Sequence, residues 1–328
     1  MEEGVGLSSS YTGAARDPLF LIYPNRLGCR KSLSIKANLR ARRRKRRILY
    51  ATLVAAAVGI IIVAYLIAGS FNDPYVSYIG QPVSPSLYKE LAGFNNTALA
   101  GVGAGSGKGP STISGGSSLS SNGKPEVLYV GGEYCPFCGV TRWSMVIALS
   151  KFGNFAGLEY MLSSGTDVNA NTPTFTFANA TYTSPYISLV TVEHWDRSDN
   201  IYQPLTSDEQ SILSQYDSPG SIPFIDFANQ YSIVGAVGGL GAIDLSGMNW
   251  TQVATQLRAS GSSTAQAIVG EANYFISAIC AIDGRQPASI CSQPYGSLTV
   301  AYTPPVTQTS TSTALIVPTS RLDSPWTA

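Results

Sequence analysis

Glu126-Val127-Leu128-Tyr129-Val130-Gly131-Gly132-Glu133-Tyr134-Cys135-Pro136-Phe137-Cys138 reads as a strand, a turn and the opening of a helix. Val127 to Val130 have the β-branched and aromatic content of a strand, and Gly131-Gly132 interrupts it. Val140, Trp143, Val146, Ile147 and Phe152 then recur at helical spacing as far as Gly153. Cys135 falls at the expected N-cap, where unpaired backbone N–H groups and the positive end of the helix dipole stabilise a thiolate. Cys138, one turn further in, can close a disulfide back onto it. Pro136 suits the first helical turn, where its missing N–H costs nothing. The unit predicts a redox-active pair with Cys135 and Cys138 as its catalytic residues.

Residues 48–68 contain no charged side chain and match the length of a membrane-spanning helix, and Arg42-Arg43-Arg44-Lys45-Arg46-Arg47 abuts them. Residues 1–47 hold 12 Lys/Arg against 3 Asp/Glu, net +9, and the remainder holds 9 against 17, net −8. By the positive-inside rule, 1–47 is a basic, largely disordered cytoplasmic arm and everything after the span lies outside. A cleaved signal peptide is the rival reading, but the basic region is long and Ala68-Gly69-Ser70 is a weak exit. Contact with the apolar run assigns the arginines to topology and anionic lipid rather than nucleic acid. Membrane lipid is therefore the expected partner of 48–68, and Cys29 is assigned no role.

Residues 69–122 read as an exterior linker and extension: a short helix capped by Ser84, led by Pro85 and stopped by Gly93, then a flexible Gly/Ser-rich loop over 101–123. Gly107-Lys108 does not complete a phosphate loop. Beyond the motif helix, whose last turn is suited to Lys151, 174–177 and 186–192 show strand-like alternation. Thr206 to Glu209 has capping-box spacing before a helix ending near Tyr216. Pro223 to Phe227, a turn at Asn229-Gln230 and Tyr231 to Val234 form a hairpin, and helices follow over 249–259 and 264–282. The Ser/Thr/Pro-rich tail, 301–328, is too poor in apolar residues to join the core.

This order resembles the thioredoxin superfamily, which implies an α/β fold: a central mixed sheet flanked by helices over 123–300, with an insertion before the cis-Pro hairpin and one transmembrane helix before the domain. Ile222-Pro223 stands where that superfamily carries a cis-proline facing the sulfurs, so Pro223 joins the catalytic candidates, while Tyr134, Pro136, Phe137 and Ile222 are the candidate substrate contacts. Gly123 to Cys138, Arg142-Trp143 and Ala148 to Gly153 are similar to the membrane-anchored family called domain of unknown function 929, and Ala278 to Cys280 with Gln286 to Cys291 is similar to its C-terminal end. This implies archaeal or bacterial origin and supplies no activity.

In the superfamily's mechanism Cys135 is the exposed nucleophile and Cys138 resolves the mixed disulfide. Thioredoxins carry a buried acid six residues before the first cysteine; here that position is Tyr129, which argues against an efficient reductase. Glu133 either substitutes or sits in a solvated turn, the simpler reading. Phe137 cannot donate to a thiolate, so the potential is expected to be moderate, and an exterior site favours oxidase or isomerase chemistry on exported protein thiols and disulfides. The competing expectation is a non-catalytic peptide-binding module with structural disulfides. A further candidate is a membrane redox partner such as a quinone-linked oxidase, and with one span in this chain any such electron acceptor is a separate protein.

Cys280 and Cys291 read as a structural disulfide worth roughly 3 kcal/mol, with electron relay to the first pair as the alternative. A zinc site of cysteines with His194 ranks below this, Glu193-His194-Trp195-Asp196 being read as the surface end of a strand. No cofactor and no metal are expected. Only 26 of the 281 residues after Arg47 are charged, an exterior surface suited to acid, and Asn95, Asn179 and Asn249 begin weak glycosylation triplets.

Overall fold

The computed structural model describes residues 26–71, 73–115, 117–217 and 220–298 and falls into two compact units with a boundary after Ala68. The first holds helix α1 (Arg26–Phe71) as far as Ala68. Within α1, Asn38–Tyr65 is exposed throughout, includes a window of mean hydropathy 2.4, and is long and apolar enough to cross a membrane. The expected span, 48–68, lies within α1 and overlaps this stretch over 48–65. Residues 26–47 are helical, and no Gly or Pro falls between Cys29 and Val58 to stop a run of good helix formers. Residues 1–25 and the tail at 301–328 lie outside the described residues.

In the second unit the elements run α2 (Pro85–Ala92), α3 (Asn96–Val102), β1 (Ser111–Thr112), β2 (Ser120–Ser121), β3 (Lys124–Gly132) and α4 (Pro136–Leu149). Four short strands follow: β4 (Asn154–Ala156), β5 (Glu159–Leu162), β6 (Pro173–Thr176) and β7 (Thr181–Thr183). Then come β8 (Ser188–Trp195), α5 (Ser207–Tyr216), β9 (Phe224–Phe227), β10 (Tyr231–Val234), α6 (Trp250–Arg258), α7 (Ser263–Ile282) and α8 (Ala288–Cys291).

A central mixed sheet is flanked by helices. Strand β3 lies at its middle, parallel to β8 and antiparallel to β9, with β10 and β1 continuing beyond β9 and β2 pairing with the start of β3. Val127 and Tyr129 join the larger core with α4, α6 and α7, whereas Leu128 and Val130 join a smaller one with Leu213 of α5. Alternate side chains of a strand point to opposite faces, so burial on both faces accounts for the unbroken apolar run. Helix α7 also has the length and hydropathy of a span, but 83% of its apolar window is buried in this core. Caps form where the sequence places them: Ser84 accepts from Leu87 N, and Thr206 and Glu209 complete their capping box.

Two local expectations fail for a shared reason, tertiary contact. The Gly/Ser-rich segment after residue 101 is pinned to α7, with Ser106 N donating to Gln266 O at 2.9 Å and Lys108 N to Glu271 Oε2 at 2.9 Å. Gly105 has φ +51° and a side chain there would meet Gln266 O at 2.1 Å, so its glycine serves close approach rather than flexibility. Lys151 lies beyond the end of α4 at Leu149 and donates instead to Ala92 O and Phe94 O, at 2.7 and 2.6 Å, closing the C-terminal end of α2. Cys280 and Cys291 form the expected disulfide, tying α7 to α8 with a Cα–Cα distance of 5.5 Å.

Burial raises the pKa of Glu271 from 4.5 to about 8 and that of Asp226 from 3.8 to about 6. Both carboxyls fold best when neutral. Their stabilisation is complete below the unfolded values and is lost as pH rises through the folded ones. Lys151, lowered to about 8 by burial, acts above that window. The unfolding free energy of the full-length chain in detergent is therefore expected to fall between pH 4.5 and pH 8, by at most about 1.4 kcal/mol per pH unit from Glu271, and the urea midpoint with it. Glu271→Gln should flatten the slope and raise stability at pH 8; a midpoint that climbs with pH contradicts this.

Candidate functional site

The turn between β3 and α4 is held from two sides. Glu133 N donates to Trp195 O at 2.8 Å, and Ser164 N, from the insertion, donates to Tyr134 O at 2.8 Å. Cys135 N donates to Gly132 O at 3.3 Å. This leaves Cys135 in extended backbone (φ −76°, ψ 118°) as the N-cap of α4, its Sγ accepting from Cys138 N at 3.3 Å, with Pro136 at the start of the helix. Both cysteines are free thiols.

Hydrogen bonding from the Cys138 thiol lowers the Cys135 pKa against its burial, aided by the Cys138 and Phe137 N–H groups and the charge of Arg142. Burial, then donation of its proton toward Cys135, raises Cys138 well above an ordinary thiol. The two values are pushed apart, as one nucleophile and one proton-holding partner require. The expectation of an exposed Cys135 is corrected: only 5% of it is accessible, and Cys138 is fully buried.

Ile222–Pro223 is cis. Phe224 pairs with Val130, which sets this peptide beside the Gly131-Gly132 end of β3. A side chain at Gly132 would meet both Tyr134 Cε1 at 3.0 Å and Ile222 Cδ1 at 3.2 Å, so these two residues close on the turn that carries Cys135. Tyr134 packs edge-on to Trp195 at 6.2 Å and, like Phe137, is partly exposed. Pro136 is buried.

Beneath the dithiol lies a feature that reading the sequence did not find. Helix α4 is buried at every position except Phe137, yet it carries Arg142. The guanidinium donates from Nε to Glu193 Oε1 at 2.9 Å, from Nη2 to Glu193 Oε2 at 2.5 Å, and from Nη2 to Gly132 O at 2.9 Å, with both side chains fully buried. Glu193 Oε1 also accepts from Phe177 N at 3.2 Å. A buried charge must be paired and hydrogen-bonded. The one available signal was an arginine inside an otherwise uncharged helix.

The Glu193–Asp196 stretch is accordingly no simple surface end. Glu193 is the counter-ion, and His194 is 7% exposed with Nδ1 2.8 Å from Gln203 O. Glu133 is also buried rather than solvated: Thr176 Oγ1 donates to it at 2.6 Å, and burial raises its pKa. Tyr129 lies against Phe177 with the Arg142 guanidinium 5.8 Å from its ring centre. Its hydroxyl has no hydrogen-bond partner among the described residues. That hydroxyl occupies the space a side chain at Gly131 would need, at 2.0 Å, so this position admits only glycine without a shift.

The arrangement defines a helix-capping dithiol set on a buried ion pair in a mixed α/β domain. Residues 113–220 match the family model described as Domain of unknown function (DUF929). The match covers β3, α4, the insertion, β8 and α5, and stops before Ile222–Pro223 and the Cys280–Cys291 disulfide. Comparison with curated proteins and with solved structures gives no match.

Arg142→Met should cost about 3–5 kcal/mol because it strands Glu193, whereas replacing both residues by Met should be close to neutral. Chemical denaturation of the two variants checks this. Equal losses in both would contradict a paired, desolvated bridge.

Proposed function

We propose that this chain is a membrane-anchored thiol-disulfide oxidoreductase whose thioredoxin-like domain lies outside the cytoplasm and oxidises or isomerises disulfides of exported proteins. The observation that carries the reading is the N-cap position of Cys135, where Cys138 lends its backbone N–H and its thiol proton to the first sulfur. The cis Ile222–Pro223 peptide beside the same turn supports a thioredoxin-like arrangement. Tyr134, Phe137 and Ile222, all partly exposed, are the surface a substrate chain would meet, whereas Pro136 is buried.

Residues 48–68 anchor the chain, with the basic segment through Arg47 on the cytoplasmic side. The Cys280–Cys291 bond fits an oxidising compartment.

In the oxidising direction, a substrate thiolate attacks Cys135 Sγ, the bond to Cys138 breaks, and Cys138 leaves with the electron pair. A second substrate thiolate then attacks its neighbour's sulfur in the mixed disulfide and releases Cys135 as the thiolate. Two electrons and two protons pass from the substrate dithiol to the cysteine pair. A separate two-electron acceptor must take them up before the next cycle, and a membrane-bound redox partner is the candidate for it. Isomerisation needs no such acceptor, because Cys135 is regenerated as each bond is reshuffled.

The near-complete burial of Cys135 favours a second reading, a peptide-binding module in which this pair is structural. Trapping separates the two. In membranes presented with a reduced, unfolded protein carrying paired cysteines, Cys138→Ala is expected to accumulate mixed disulfides on non-reducing gels, and Cys135→Ser to form none and lose turnover. Unaltered binding with no adducts in either variant would establish the module.

A further inference from the structure

The buried pair beneath the dithiol is larger than fold stability requires, since two charges removed from water seldom stabilise more than an apolar pair of the same volume. Its placement relates it to sulfur. Arg142 follows Cys138 by four residues on α4, which stacks the two side chains on one helix face. Its Nη2 donates to Gly132 O, the same carbonyl that accepts from Cys135 N. Its Nη1 is buried and has no hydrogen-bond partner among the described residues. The cation is thus fixed by Glu193 on one side and by the cysteine turn on the other, with one guanidinium nitrogen uncommitted.

We propose that Arg142, clamped by Glu193, is a positioning residue that sets a fixed positive charge one helical turn behind Cys138, where it stabilises the negative charge passing between the two sulfurs during exchange. This rests on the oxidoreductase reading for its biological use. When the Cys135–Cys138 bond opens, its electron pair leaves on Cys138 Sγ, inside a helix that water does not reach. Arg142 supplies the compensating charge until a proton arrives. At the position where thioredoxins carry a buried acid this chain has Tyr129, and the guanidinium lies against that ring.

The other ionisable groups around Arg142 come from each element packed on it: Tyr129 from β3, Glu193 from β8, Glu133 from the turn, and the two cysteines on α4 itself. Arg142 acts to lower the pKa of both sulfurs.

The test uses the full-length chain in detergent with Cys29→Ser, cysteine labelled with carbon-13 at Cβ, and Cys135 and Cys138 reduced, each Cβ shift following thiol to thiolate with pH. Glu193→Gln removes the counter-charge and is expected to move the lower titration step of the pair down by about one pH unit; Arg142→Met combined with Glu193→Met is expected to move it up by about as much. Arg142→Lys, which keeps the charge, should stay near the parent. A purely structural pair would not give displacements of opposite sign, so unmoved steps, or steps moved the same way in the first two variants, overturn the proposal. Should circular dichroism show the double variant unfolded, Glu193→Gln decides alone: a lowered step supports the assignment, and an unchanged or raised one rejects it. Titration needs no turnover. A chain that shifts as expected yet exchanges no disulfides rejects the oxidoreductase reading and leaves the charge assignment standing.

Discussion

A helix enclosed on every side has no surface on which to carry a charge, and α4 carries Arg142. Everything near the dithiol is arranged around that constraint. Glu193 must lie at the end of β8 to meet the guanidinium, β8 must run parallel to β3 to bring it there, and β6 of the insertion packs along the flank of α4. Trp143 Nε1 donating to Pro173 O at 2.8 Å and Thr174 Oγ1 donating to Gly139 O at 2.8 Å fasten that cover. The price of burying the helix is therefore a short list of obligatory polar contacts, of which those of Gly139 and Arg142 lie within about one turn of Cys138.

The same enclosure shapes the chemistry. A thiolate at an N-cap gains from backbone N–H groups whether or not it is exposed, but burial raises the cost of the charged form. At Cys135 the hydrogen bonds prevail and its pKa falls; at Cys138 burial prevails and its pKa rises. Asymmetry of this kind suits a pair in which one sulfur attacks and the other holds the proton. It also limits access, since only 5% of Cys135 is accessible in a turn on which Tyr134 and Ile222 close.

Much of this was legible in the residues. The run from Glu126 to Cys138 specifies strand, turn and helix through local chemistry, and capping residues such as Ser84 and Thr206 act within one turn of themselves. The Cys280–Cys291 pairing follows from a short spacing. What could not be read depends on partners distant in the chain. Glu193 looks like any carboxylate at a strand end until Arg142, 51 residues earlier, is placed beneath it. Glycines after residue 101 look flexible by composition, and only the backbone of α7 shows that they permit contact. Lys151 satisfies a helix-terminus rule, but for α2 rather than for its own helix. The absence of an acid at Tyr129 was plain in the sequence; the cation that lies against its ring was not.

The equilibrium potential of the Cys135–Cys138 pair tests the central claim most directly. It is measured on the full-length chain in detergent by alkylation and mass shift across graded glutathione or dithiothreitol buffers. A value between about −120 and about −230 mV is expected for an exchanging pair. A value below about −300 mV would mark a structural bond and contradict the oxidoreductase account.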